Sequence, residues 1–142
     1  MPIAIANNKS EVLKGVADAL SAEKEDYARA LDSFVRAPKR VLHIYMANFD
    51  SAIDTYEKQL AYLVPKNPGT AMLAIISEYT DSVKGIVKRS LGKVGPLDGI
   101  EELPKIYEAY KFFASQVHGD LCKMTDELIV SLQRMVMLRQ NQ

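Results

Sequence analysis

The 142-residue sequence lacks the features that direct a protein to a membrane or to secretion. Its only cysteine is Cys122, so no disulfide can form within the chain, and such sparse use of cysteine is typical of a reducing compartment. No apolar run approaches the roughly 18 residues that a membrane-spanning helix needs. The first residues, MPIAIANNKSE, have neither the basic start nor the long apolar segment of a secretory signal. We therefore expect a cytoplasmic protein without a transmembrane segment.

An excess of charge of either sign is also missing. The 18 basic and 18 acidic residues cancel. No overall field draws such a chain to nucleic acid or to an anionic membrane, so any contact with a polyanion would have to come from a local cluster of cations. Nucleic acid is therefore not the partner that the composition favours.

Catalytic and metal-binding motifs are absent from the sequence as well. A di-metal centre in a helical bundle would require a glutamate three residues before each of the two histidines, His43 and His118. Arg40 and Ser115 stand at those positions instead. His118 and Cys122 share a helical face, but they supply only two of the three or four protein ligands that zinc takes. We predict no metal site, no cofactor and no enzymatic activity.

What the sequence does contain is helical periodicity. With 48% hydrophobic and 25% charged residues, it has the composition of a single helical domain, residues 1–142, that buries its own core. Apolar residues recur at spacings of three and four in four segments, and prolines and most glycines fall at the segment ends or between segments. The segments cover about residues 9–36, 39–64, 70–91 and 102–138. No segment has the alternating pattern of a β-strand.

The helix lengths and the short connections predict the architecture. At about 1.5 Å per residue, the four helices would measure roughly 42, 39, 33 and 55 Å. Short connections favour antiparallel neighbours, so we predict an all-α, up-down-up-down four-helix bundle with a long C-terminal helix. In the first helix a heptad seam runs from Leu13 to Phe34 and includes Lys24 at a core-type position.

The C-terminal helix is too long for its neighbours. If it starts level with the end of the third helix, about ten residues, from Ile129 to Arg139, project past the bundle. Apolar residues cover most of the circumference there, and such a helix needs cover on most sides. We therefore predict a homodimer, or a protein partner, at this surface, with Leu132 and Val136 facing the second copy. The predicted interface consists of Leu128, Ile129, Leu132, Met135, Val136 and Leu138.

The alternative to a long fourth helix is a bundle of five helices. The sequence HGD at residues 118–120 could end the fourth helix, and a fifth helix from about Leu121 could then fold back and bury the same apolar residues internally. A glycine weakens a helix by up to about 1 kcal/mol without forbidding it. Because the seam keeps its phase through Gly119, the continuous helix is the preferred prediction.

Seven cations are predicted to meet at one end of the bundle, where helices one and three end and helix two begins. We call them the basic rim: Arg36, Lys39, Arg40, Lys84, Lys88, Arg89 and Lys93. The helix dipole favours cations at the ends of helices one and three, but it disfavours Lys39 and Arg40 at the start of helix two. The pattern therefore indicates a candidate anion-binding site, which Asp98, Glu101 and Glu102 would partly neutralise.

Polar residues also fall inside the predicted seams at one height. By helical rise, a lysine and four tyrosines lie roughly 10 to 18 Å below the basic rim. We call them the tyrosine layer: Lys24, Tyr27, Tyr45, Tyr79 and Tyr110. Such a layer is a candidate site for a small acidic or aromatic ligand. The alternative is structural, since core tyrosines usually keep their hydroxyls at the edge and lysines extend outward.

These patterns lead to two hypotheses of different classes. The leading hypothesis is a non-enzymatic helical bundle that acts through protein-protein association, by self-assembly or by binding a partner at its C-terminal helix. The alternative is a binder of a small ligand or a polyanion through the basic rim and the tyrosine layer. Salt separates the two, because phosphate contacts weaken steeply as salt rises, whereas an apolar interface holds or tightens.

Overall fold

The computed structural model describes residues 8–34, 39–94 and 102–140, and these residues form helices without any strand. The helices are α1 (Lys9–Ser33), α2 (Lys39–Leu63), α3 (Thr70–Val83), α4 (Ile86–Val94) and α5 (Leu103–Gln140). Because α3 and α4 follow each other with only two residues between them, the five helices make four rods. The predicted all-α four-helix bundle is confirmed. Within the described ranges, no helix is both long enough and apolar enough to span a membrane.

The four rods are arranged so that α1 and α5 lie on one diagonal of the bundle. α1 packs against α2 and against the rod of α3 and α4, and α5 packs against the same two rods. The backbone N–H of Lys9 donates to the carbonyl of Lys66 at 2.9 Å, which places the starts of α1 and α3 at the same end. α1 and α3 are thus parallel neighbours, as are α2 and α5. The expectation that consecutive helices are antiparallel neighbours fails for α2 and α3, because residues 64–69 connect them across the other diagonal.

α5 is one continuous helix of 38 residues, so the five-helix alternative with a break at Gly119 is wrong. Val117 and Leu121 are both buried in the core and hold the helix on either side of the glycine. The side-chain amide of Gln116 also donates to Asp120 Oδ1 at 3.0 Å across this turn. Packing on both sides of Gly119 outweighs the weak helix preference of one exposed glycine.

The core seam of α1 differs from the predicted one at one position. Lys24 is not in the core, because its ammonium group pairs with Asp50 of α2 at 2.6 Å and both side chains are partly exposed. Glu23 takes the buried position between Leu20 and Tyr27, with an exposed fraction of 2%. Between Leu20 and Tyr27, a heptad seam can pass through the residue three positions on or the one four positions on. The pattern alone therefore could not decide which of the two, Glu23 or Lys24, lies in the core.

The third predicted helix is interrupted at Lys84 and Gly85, where the buried Glu23 meets the backbone. The N–H of Val87 donates to Glu23 Oε1 at 3.0 Å in place of the carbonyl of Val83, four residues before it. A side chain that enters the helical hydrogen-bond ladder in this way breaks or kinks a helix. The separation of α3 from α4 therefore follows from a contact made by α1, which the local sequence does not specify.

Candidate functional site

The C-terminal part of α5 divides into core and surface. Leu128 and Leu132 are buried, and Leu132 has an exposed fraction of 0%. The prediction that Leu132 faces a second copy is therefore wrong, because its side chain fills the core of its own chain. Ile129 and Met135 are partly buried against that core. Of the predicted interface, this leaves Val136, which is half-buried, and Leu138 as surface positions.

The large exposed apolar side chains near the end of α5 are Val130, Met137 and Leu138. Met137 and Leu138 have exposed fractions of 60% and 65%. The sequence analysis did not select Val130 or Met137, although both belong to the apolar run it described. Their exposure depends on where the neighbouring helices end, which the sequence does not state.

The projection of α5 past the third rod is shorter than predicted. The rings of Tyr45 and Tyr110 lie 5.4 Å apart, and both residues stand near the starts of their helices, so α2 and α5 begin at nearly the same height. Tyr79 hydrogen-bonds Thr125 at 2.9 Å, and by equal helical rise Thr70 is then level with about residue 134. Roughly six residues of α5, or about 9 Å, project past the start of α3. The remaining excess length extends past the other end, above Val94.

The basic rim does not form one surface. Arg36 lies outside the described residues, as does the side chain of Lys39. Arg40 is exposed on α2, which lies diagonally across the bundle from α4. The up-down topology alone placed these cations at one end, but the diagonal arrangement puts them on opposite corners.

Four cations of the basic rim remain together on the third rod, where acidic residues of α5 offset two of them. They are Lys84, Lys88, Arg89 and Lys93. Arg89 and Lys93 share a groove of about 310 Å³ with a third cation, Lys123, and with two acidic residues of α5, Asp120 and Glu127. The Arg89 guanidinium also donates to the carbonyl of Ser82 at 3.1 Å. The two carboxylates in the same groove offset most of its positive charge, and Arg40 lies on the opposite corner, so the described cations do not form the single basic surface that was predicted.

Three members of the tyrosine layer come together in a cluster of aromatic rings. Tyr27 stacks on Phe49 with ring centroids 4.8 Å apart and on Phe113 at 5.8 Å. Tyr110 contacts Tyr45 on one side, and its ring meets the ring of Phe34 edge-on at 5.3 Å. Tyr27, Tyr45 and Tyr110 thus meet as predicted, in a cluster completed by Phe34, Phe49 and Phe113.

The other two members of the tyrosine layer lie elsewhere. Lys24 is at the α1–α2 edge beside Asp50. Tyr79 bonds Thr125, twelve residues along α5 from Phe113, which corresponds to about 18 Å along the helix axis. Tyr79 lies lower than predicted because α3 starts level with α1, which puts the tyrosine near the middle of the bundle.

The hydroxyl groups of the aromatic cluster are poorly satisfied. Within the described part of the chain, the buried hydroxyl of Tyr110 has no hydrogen-bond partner. Burial and the nearby Tyr45 raise the pKa of Tyr110 to about 12. Burial, with smaller contributions from Tyr110 and Tyr45, also raises the pKa of Tyr27. Both phenols therefore stay neutral at physiological pH.

A polar crevice between α2 and α5 opens beside the aromatic cluster. Its inner part is a cavity of about 150 Å³ lined by Tyr27, Tyr45, Asn48, Phe49, Ala114, Ser115 and His118. Asn48 and His118 also line an outer groove of about 470 Å³, which continues the crevice towards Cys122. The sequence analysis missed Asn48 and did not assign Ser115 to a site. Both are isolated polar residues on helices that were not known to be neighbours.

His118 and Cys122 are in contact in the outer groove. The sulfur of Cys122 lies 3.6 Å from Nε2 of His118. Across the described ranges, no three histidine, cysteine or acidic side chains are grouped so that they could hold a metal ion. Cys122 also lies beside Tyr56 of α2, and burial, followed by this thiol, raises the pKa of the Tyr56 hydroxyl. The pair thus forms part of the polar wall of the outer groove.

Comparison with known proteins gives no match to any protein-family model, curated protein or solved structure. The function is therefore argued from the geometry of this chain alone.

Proposed function

We propose that this protein acts by self-association through the projecting end of α5, with a second copy of the chain as the partner. The observation that supports the proposal is the exposure of Met137 and Leu138 on a helix end that extends past its own bundle. Val130, one turn above the projection, is 45% exposed and extends the same apolar surface.

The exposed residues surround the helix end. Val130 and Met137 are seven residues apart, which places them on one side of α5, about two turns from each other. Leu138 lies about 100° further round, and Val136 lies about 100° in the opposite direction. A second projecting end packed along the stripe of Val130 and Met137 would cover that stripe and reach the flanks on which Val136 and Leu138 lie, and a two-fold axis lets each copy supply the same apolar cover to the other.

The expected dimer is weak. A fully buried Val, Leu or Met side chain contributes roughly 1.5 to 3 kcal/mol, and these three are about half exposed, so each gains about 1 to 1.5 kcal/mol. A two-fold interface counts each residue twice, which gives roughly 6 to 9 kcal/mol before association costs of at least about 4 kcal/mol. At the strong end of this range about 5 kcal/mol remains, which corresponds to a dissociation constant of about 0.2 mM, and we expect an affinity of this order.

The test is sedimentation velocity over a concentration series that extends to about 1 mM. The wild-type protein is expected to shift from monomer to dimer as concentration rises. The double variant Met137→Glu, Leu138→Glu is expected to stay monomeric and to keep its helical circular dichroism, because neither side chain belongs to the core. Ile44→Glu is the matched control, since Ile44 is a 54% exposed apolar residue on α2.

Two outcomes would contradict the proposal. One is a wild-type protein that remains monomeric over the whole series. The other is a double variant that dimerises as well as the wild type while Ile44→Glu does not, which would move the interface to α2. Higher salt is expected to hold or strengthen the dimer, because its contacts are apolar.

A further inference from the structure

The cavity at the inner end of the α2–α5 crevice has the size of a small ligand. Its volume is about 150 Å³. An apolar cavity of about this volume, lined by aliphatic and aromatic side chains, is large enough to bind benzene. The outer groove joins it to the surface past Asn48 and His118. A molecule of one aromatic ring therefore fits the inner cavity and has a path to it.

The cavity wall combines aromatic surface with free polar groups. Phe49 and Tyr27 stack on each other at the back of the crevice. Tyr27 has an exposed fraction of only 2%, yet its hydroxyl makes no hydrogen bond with any described residue, and neither does the hydroxyl of Tyr45. The fully buried hydroxyl of Tyr110, behind Tyr45, also has no partner within the described ranges.

Buried hydroxyl groups without partners are costly, since each loses its hydrogen bonds to water and gains nothing in return. The hydroxyl of Tyr110, one ring behind the cavity wall, is such a group. The hydroxyls of Tyr27 and Tyr45 belong to the cavity wall and make no hydrogen bond within the described ranges, so a polar group placed there would be bound by donors and acceptors already in position. Tyrosine hydroxyls both donate and accept, and so do the side chains of Asn48 and Ser115 at the same cavity.

The charge of the wall selects a neutral ligand. Among the residues that the structure describes, no lysine, arginine, aspartate or glutamate lines the inner cavity or the outer groove. Lys24, the cation of the predicted tyrosine layer, is paired with Asp50 at a different edge. A carboxylate or an ammonium group would therefore lose its hydration without gaining an ion pair.

From this wall we infer that the α2–α5 crevice binds a neutral, single-ring aromatic molecule that carries a hydroxyl group, a ligand of the phenol class. The ring stacks against Tyr27 and Phe49, and the hydroxyl bonds the hydroxyls of Tyr27 and Tyr45 and the amide of Asn48. This site is separate from the projecting end of α5, so its test does not depend on whether the protein self-associates.

The experiment is a titration of the full chain, labelled with ¹⁵N, followed by two-dimensional NMR. The probes are phenol, toluene and benzoate, each added to about 10 mM. Toluene has the shape of phenol without its hydroxyl, and benzoate adds a negative charge. We expect saturable shifts around Asn48 and Ser115 with phenol, weaker binding with toluene and none with benzoate.

Three variants assign the binding to the crevice. Tyr27→Phe keeps the ring and removes one hydrogen bond, worth about 1 kcal/mol, so phenol should bind roughly fivefold more weakly while toluene binding is unchanged. Ser115→Leu places a larger side chain at the cavity wall from an exposed position and should block both probes. Tyr62→Phe, at an 89% exposed tyrosine further along α2, is the control and should change nothing.

Asn48→Ala is a second test of the polar wall. Asn48 is exposed and makes no side-chain hydrogen bond within the described part of the chain, so we expect the variant to fold. It should also weaken phenol without affecting toluene. The inference is overturned if phenol gives no saturable shift at 10 mM, or if Tyr27→Phe and Asn48→Ala both bind phenol as the wild type does. Shifts that Ser115→Leu leaves intact would equally place the binding elsewhere and overturn it.

Discussion

The assignment of α5 side chains to core or surface leads to a direct test with two leucines of the same helix. Leu132 and Leu138 are six residues apart in the apolar run that ends the chain. Leu132 is fully buried in the core cluster, whereas Leu138 is 65% exposed. Truncating each to alanine therefore removes the same atoms from two environments, and the two variants should differ in stability.

The magnitude follows from burial. A Leu→Ala change in a packed core costs roughly 2 to 5 kcal/mol, because the lost transfer free energy is added to the cost of the cavity. For a domain of this size, 1 kcal/mol corresponds to about 4 °C in melting temperature, so Leu132→Ala should melt about 8 to 20 °C lower than the wild type. Leu138→Ala should stay within about 0.5 kcal/mol, or roughly 2 °C, as a surface change does.

The assay is thermal unfolding followed by circular dichroism at low concentration, where the weak dimer is absent. Sedimentation of the same samples at high concentration adds the second readout, in which Leu138→Ala should weaken the dimer. If Leu132→Ala melts with the wild type but prevents dimerisation, Leu132 is an interface residue and the burial argument fails. Equal destabilisation by both variants would show that the end of α5 packs against its own chain.

Two further predictions concern buried polar groups. Burial raises the pKa of Glu23 above its usual 4.5, so the folded state binds this proton more tightly than the unfolded state does. The tighter proton binding stabilises the fold fully below pH 4.5. That stabilisation is lost as the pH rises through the folded-state pKa. In urea denaturation between pH 4 and 8, the free energy of unfolding of Glu23→Gln should therefore decrease less with rising pH than that of the wild type. An identical pH dependence in both proteins would refute the buried-carboxyl account. Tyr79→Phe removes the hydrogen bond to Thr125, while the Thr125 hydroxyl keeps its bond to the carbonyl of Leu121 at 2.7 Å. The free energy of unfolding, measured by thermal unfolding, should therefore fall by about 1 kcal/mol. Tyr62→Phe is its control, and equal melting temperatures for the two variants would contradict the prediction.

Features that depend on one helix at a time were predictable from the sequence. Periodicity and flanking prolines located the helices, and the unbroken phase of the seam correctly favoured a continuous α5 through Gly119. A seam is a local property, because it requires only that apolar residues repeat every three or four positions. The bundle class follows from it, since helices with one apolar stripe must bury those stripes against one another.

Features that depend on two helices were predictable only in part. The tyrosine layer was assembled by counting residues from one end, which worked for Tyr27, Tyr45 and Tyr110 and failed for Tyr79. The count assumed that each helix ends at the same height. Residues 64–69 instead cross the bundle, and α5 begins above the end of α4, so the heights of the side chains differ from the count. The crevice was missed for the same reason, because Asn48 and His118 line one cavity only when α2 and α5 are parallel neighbours.

Glu23 shows that a contact between two helices can also determine where one of them ends. Its Oε1 atom accepts the N–H of Val87, which would otherwise bond within a longer third helix. A buried carboxyl oxygen needs such a donor, because leaving it unsatisfied costs more than the helical bond that it replaces. Gly85 leaves room for the Arg89 side chain to lie across the junction, where the guanidinium satisfies the carbonyl of Ser82. The break between α3 and α4 is therefore the consequence of burying one acidic residue on α1, and the residues around the break accommodate it.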